Sequence, residues 1–159
     1  ELPKRSTEGE PRQRLMLLGS INDDVEFLRL TESLGSDIVI DDYCTGTRYF
    51  WNEVITEADR ISAIAARYIN RPPCPQKDLV ERRRLSHILN LAKEYNVQGV
   101  IITLQKFCDS HEFDIPSIQT MFKENDIPTL FLEFDVTTPA GQLRTRIEAF
   151  LEMLQLEII

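Results

Sequence analysis

Three cysteines and two histidines are the residues of this 159-residue chain best suited to chemistry. Cys108 stands in "QKFCDSH", just past the apolar run Val100-Ile101-Ile102, with Lys106, Asp109 and His111 around it. A thiolate in that setting can ligate a soft metal or an iron–sulfur cluster. It can also act as a nucleophile, or pack as a small hydrophobe. Cys44 stands in "DDYCTGTR", after a second apolar run and four residues before Arg48. Cys74 lies between prolines in "RPPCPQ" and reads as structural or incidental. The odd count, the wide spacing and the lack of a CxxC pair do not suggest a disulfide framework, and spacing alone is a weak metal signature.

Other polar residues have more than one reading. Arg144 and Arg146 sit near the start of the last helix, where backbone amides favour anions, so they are candidates for anion contacts or for surface ion pairs. Lys106, His111 and Arg48 are further candidates for contact with a substrate or partner. The run Arg82-Arg83-Arg84 and the nearby His87 read as a solvated helix face. Asp41 and Asp42 would suit a metal-dependent phosphotransfer site. However, the chain has neither GxGxxG nor GxxxxGK[ST].

These residues need a frame. "RLMLLGS", "DIVIDD", "GVIITL" and "PTLFLEF" read as four strands. Between them, Val25 to Leu34 carry apolar residues at helical spacing behind a cap at Asn22 or Asp23, and Gly35 stops the helix. Ile61, Ile64, Ala65 and Tyr68 predict a helix that Pro72, Pro73 and Pro75 break. Residues 78–95 predict a long amphipathic helix, residues 113–125 another, and residues 141–156 a last one with Leu143, Ile147, Phe150, Leu151 and Leu154 on one face. Strands alternating with helices imply a parallel sheet covered on both faces, an open doubly wound α/β fold. The simplest strand order is flavodoxin-like, 2-1-3-4. Ligands of such sheets bind outside the carboxyl ends of the strands, and that edge collects Cys44, Cys108, His111 and Arg48. The opposite edge, with "EYNVQG" and "ENDIP", is bland.

Composition narrows the class. Net charge is −8, and hydrophobic residues make up 42% of the chain. An acidic surface of this kind repels DNA and anionic membranes. No apolar run reaches the roughly 20 residues of a spanning helix. No secretory signal is readable, so a cytoplasmic protein is expected. Residues 1–14, with Pro3, Pro11 and several charges, read as a linker or tail. Residues 15–159 then form one α/β domain.

Taken in order, "DDYCTGTRYFW", "RPPCP", "KFCDSHEFDIP" and "GQLRTRIEAFLEML" resemble the C-terminal half of subunits of the benzoyl-CoA reductase and 2-hydroxyacyl-CoA dehydratase family. Ser110 departs from that pattern, which carries proline there. The first two motifs lean toward the reductase side. The resemblance implies an oxygen-sensitive enzyme of anaerobic metabolism acting on an acyl-CoA. Its subunit is built from two similar α/β halves and is paired with a homologous second subunit. A [4Fe-4S] cluster lies between the halves and receives electrons from an ATP-dependent iron–sulfur activator. By the same resemblance Cys108 is the cluster ligand of this half, and the other two expected ligands belong to a first half absent from this sequence. Cys44 and Cys74 remain alternatives for completing the site, so the ligand set here is incomplete and the isolated chain is expected to be inactive. Two other readings stand beside it: a non-catalytic assembly subunit of the same fold, and a flavodoxin-like small-ligand module.

Overall fold

A computed structural model describes residues 12–56, 59–78, 80–135 and 140–156. Four parallel strands, β1 (Gln13–Gly19), β2 (Ser36–Asp42), β3 (Gly99–Gln105) and β4 (Thr129–Phe134), form one sheet in the order β2-β1-β3-β4. This is the expected fold class and strand order. Most of the expected tail lies outside the described residues, and β1 begins at Gln13, two residues before the apolar run.

Alternation along the central strands builds two cores. Leu15 and Leu17 of β1 and Ile101 of β3 face one side of the sheet. There they pack with Phe27 of α1 (Val25–Ser33) and with Leu143, Ile147, Phe150, Leu151 and Leu154 of α7 (Ala140–Leu156). Met16, Leu18, Val100, Ile102 and Leu104 face the other side. They pack with Ile88 and Leu91 of α4 (Arg83–Glu94) and with Ile118 and Phe122 of α6 (Ile115–Lys123). Fully burying each such side chain contributes about 1.5–3 kcal/mol, so the two middle strands anchor the domain. β1 and β3 read as continuous apolar runs because both of their faces are covered.

Several local expectations are corrected. The cap of α1 is Asp24, whose carboxylate accepts from the amides of Glu26 and Phe27, while the Asn22 side chain accepts from Asp24 N at 3.0 Å. The long helix expected over 78–95 is α4 alone, preceded by a single 3-10 turn at Pro75–Lys77. The helix expected over 113–125 is α6, which starts at Ile115 with Pro116 in its first turn, and a separate short helix, α5 (Asp109–Glu112), precedes it. The proline-broken helix is α3 (Arg60–Asn70). It buries only Ala63, and its apolar residues Ile61, Ile64 and Tyr68 are exposed. A short helical turn, α2 (Thr47–Phe50), precedes it.

Candidate functional site

The carboxyl ends of β1, β2 and β3 are bound together. Ser20 N donates to Thr103 O at 3.3 Å, and Cys44 N donates to Ser20 O at 3.4 Å. Gln105 N donates to Ser20 Oγ at 2.9 Å. Thr103 Oγ1 lies 3.0 Å from Tyr43 Oη. Gly19 makes this mesh feasible: its φ is +145°, and a Cβ there would stand 1.8 Å from Thr103 O. Asp41 organises the loop after β2. Its carboxylate accepts from Tyr43 N at 3.0 Å, Thr47 N at 2.9 Å and Thr47 Oγ1 at 2.8 Å.

On this base the three cysteines gather around α5. Cys108 is the residue that opens α5, and Cys74 opens the Pro75–Lys77 turn, which packs on α5. Cys44 Sγ lies 3.5 Å from Nε2 of His111, a buried residue of α5. All three thiols are free and half-buried. Burial pushes the Cys44 thiol up, Arg48 and Arg84 pull it down, and the nearby sulfurs of Cys74 and Cys108 raise it further. Cys74 thus joins the other two, a convergence the sequence left open.

Behind the thiols lies a buried ionic set. Asp42 Oδ2 stands 3.0 Å from Arg48 Nη2 and 2.8 Å from Arg84 Nη2, and all three side chains are at most 4% exposed. Arg48 also donates Nε to Asp42 Oδ1 at 3.2 Å, Nη2 to Gly19 O at 3.3 Å, and Nη1 to Cys44 Sγ at 3.6 Å. Arg84 Nη1 donates to Asp42 Oδ2 at 2.9 Å. Its Nε stands 3.5 Å from Asp114 Oδ2, and Asp114 Oδ1 is 2.7 Å from Arg82 Nη2. Neither Nε nor Nη2 of Arg84 makes a well-aligned hydrogen bond, so these contacts hold by charge. Asp78 closes the group by accepting from the first amides of α4, Arg83 N at 3.0 Å and Arg84 N at 2.6 Å. Breaking one partner of a buried ionic set costs about 3–5 kcal/mol.

The set also fixes the state of the imidazole. Burial, with the charges of Arg84 and Arg48, pushes His111 down to about 3, so its ring is neutral beside Cys44. His87 is pushed down too, mainly by burial, and its ring meets Trp51 edge-on at 5.1 Å.

The solvated-face reading holds for Arg83, 68% exposed, and is corrected for Arg84 and His87. Arg84 is 1% exposed, and His87 is half-buried. Arg48, a candidate substrate contact, is turned inward. Lys106 pairs on the surface with Asp135 at 2.9 Å and with Glu133 at 4.0 Å. Arg144 pairs with Glu148 at 2.8 Å, and Arg146 Nη2 donates to Phe131 O at 2.6 Å, so both have partners on the α7 and β4 side. The functional partners missed from the sequence are Asp42 as an arginine anchor, Asp78 and Asp114. Nothing in their local spacing signals those roles.

Two non-glycine residues at this edge have left-handed backbone: Phe107, φ 68°, immediately before Cys108, and Arg82, φ 51°, at the start of α4. Each costs of order 1–3 kcal/mol and is held by its surroundings. Phe107 is 92% exposed, so its ring does nothing to offset that cost within this chain. A cleft of about 680 Å³ lies at the opposite edge among Pro116, Lys123, Asp126 and Thr129. It holds neither a cysteine nor a histidine, and the chemistry sits with the thiols instead.

Among the described residues, no three Cys, His, Asp or Glu side chains are arranged to enclose a metal ion. The donor chemistry nevertheless suits one wall of an iron–sulfur centre. It offers soft sulfur donors at a half-buried edge, backed by arginines that offset negative charge.

The profile of the 2-hydroxyglutaryl-CoA dehydratase D-component matches residues 1–154, nearly the whole chain. The chain belongs to that family. Within it, the chain is 33% identical over 146 residues to the (R)-phenyllactyl-CoA dehydratase beta subunit of Clostridium sporogenes, covering 89% of this chain and 38% of that protein. It is 23% identical over 144 residues to the lactoyl-CoA dehydratase beta subunit of Anaerotignum propionicum, covering 89% of this chain and 38% of that one. It is 24% identical over 135 residues to a benzoyl-CoA reductase subunit of Thauera aromatica, covering 82% of this chain and 34% of that protein. A dehydratase D-component chain of this length therefore spans under two fifths of these curated relatives.

Proposed function

We propose that this chain forms one wall of an iron–sulfur site in a radical acyl-CoA enzyme, with Cys108 as a cluster ligand. The observation that carries the reading is the meeting of three free thiols around α5, with Arg48 Nη1 reaching Cys44 Sγ at 3.6 Å. When bound, a [4Fe-4S] cluster supplies single electrons at low potential. The residues of this chain hold and shield it. Cys108 offers its sulfur from the end of β3. His111 packs as a neutral ring against Cys44, so no imidazolium competes with a cluster for the thiolates. The exposed rings of Phe107 and Phe113 form an apolar rim that keeps water out once another surface covers it.

The remaining ligands come from a further part of the subunit or from a homologous second subunit. An ATP-dependent iron–sulfur activator supplies the electron, and an acyl-CoA is the substrate. Two of the three relatives are dehydratase beta subunits, including the one with the highest identity of the three. That favours loss of water from a 2-hydroxyacyl-CoA over ring reduction. On its own the chain is inactive, because its ligand set is incomplete.

The test is iron and acid-labile sulfide per chain, with EPR, on protein prepared anaerobically together with the subunits that co-purify. About four irons per site are expected, with the signal lost in Cys108→Ser. An active anaerobic assembly whose Cys108→Ser variant keeps iron and activity would overturn the reading and leave an assembly subunit. Flavin absorbance without iron would point to a flavodoxin-like module.

A further inference from the structure

Arg48 is tied down more completely than packing requires. Its guanidinium is 4% exposed, bridges Asp42 through two nitrogens, donates to Gly19 O at 3.3 Å, and still directs Nη1 at Cys44 Sγ, 3.6 Å away. Arg84 lies on the same Asp42 carboxylate, 1% exposed, with two nitrogens lacking an aligned acceptor. Asp42 engages the arginines, and Asp78 caps α4. The charges felt at both Cys44 and His111 are those of Arg48 and Arg84. The thiol edge therefore faces fixed positive charge that cannot swing away, in a setting where salt screens weakly.

We propose that Arg48, anchored by Asp42 and supported by Arg84, is a positioning residue that raises the reduction potential of the anionic sulfur-bound centre at this edge. This rests on the iron–sulfur reading above. One-electron reduction adds one negative charge to a thiolate-held centre. A buried cation favours that added charge and acts on cluster potentials, and this cation reaches the thiol edge through the N–H directed at Cys44 Sγ, which interacts in turn with the ligand Cys108. The Asp42 carboxylate has the opposite effect, holding the cations while partly cancelling them.

The test uses the complete subunit with its partner, loaded anaerobically. Iron per chain is measured, with the midpoint potential from EPR-monitored titration with titanium(III) citrate. Arg48→Gln is expected to keep its iron and lose at least about tenfold in preference for the reduced form, a shift of ~59 mV to more negative potential for a one-electron couple. Arg48→Lys, which keeps the charge, recovers most of that shift. Full iron and an unchanged midpoint in Arg48→Gln overturn the proposal. If Arg48→Gln does not hold iron, Asp42→Asn decides by sign. A midpoint moved to less negative potential supports the proposal, and one that is unchanged or more negative overturns it. Loss of iron from both variants overturns it in favour of a purely structural ion set. Wild-type protein without iron instead defeats the iron–sulfur reading itself, and the inference falls with it.

Discussion

His111 shows how burial turns an ordinary titratable group into a neutral one. Its folded value is about 3, against the usual imidazole value near 6.5. Between those two values the unfolded chain binds a proton that the native chain does not. Stability therefore falls as pH drops from about 6.5 toward 3, and His111 has no effect on it above that window. His87 acts in the same direction. In the metal-free chain, urea midpoints are expected to fall between pH 7.5 and pH 5, and to fall measurably less in His111→Gln. Equal slopes for the two proteins would show that His111 is not a source of the pH dependence. The sequence delivers Cys108 and His111 to the right edge because both follow a recognisable strand. It hides Arg84, because a run of three arginines looks solvated until its partners are known. Those partners, Asp42 and Asp114, lie far away in the chain.

Among elements, the strands and their order were legible, and the helices less so. Four apolar runs separated by helical patterns leave few parallel topologies once crossovers are right-handed. The short α5 was not legible, because its four residues, Asp109–Glu112, are too few to show an apolar period, whereas α6 begins at Ile115 beside Pro116 close to where the period starts. α3 misled in a different way. Its apolar spacing is helical, but it buries only Ala63, while Ile61, Ile64 and Tyr68 stay exposed among the described residues. At the carboxyl edge, the end of β1 is the most constrained element. Gly19→Ala would put a methyl group against Thr103 O and force an L residue to φ +145°. A loss of at least about 1–3 kcal/mol is expected by denaturant melts, with the thiols becoming more reactive as the mesh of Ser20 and Thr103 loosens. Full stability with unchanged thiol reactivity would mean that this approach tolerates a side chain.

At the scale of the molecule, large apolar side chains remain uncovered. Ile55, Ile61, Ile69, Val80, Phe107 and Phe113 are all at least 75% exposed. Phe107 and Phe113 flank α5, where exposed apolar side chains suit an interaction site. This chain covers 38% of its relative from Clostridium sporogenes. Ile61→Ser with Ile69→Ser is expected to change the stability of the isolated chain by within about 0.5 kcal/mol, since neither side chain is buried. On the proposed reading, the same pair is expected to weaken association with a homologous second subunit at least tenfold, read by ultracentrifugation. Unchanged association would place the contact elsewhere.

The bonds that join Ser20 to Gln105 and Asp42 to Arg84 span 85 and 42 residues of chain. Contacts of such long range form late, because large loops must close before they contribute. The cysteines therefore reach their shared edge only after β3 has docked beside β1. On the iron–sulfur reading proposed above, a cluster would enter only after folding, because the nascent chain has no edge to receive it.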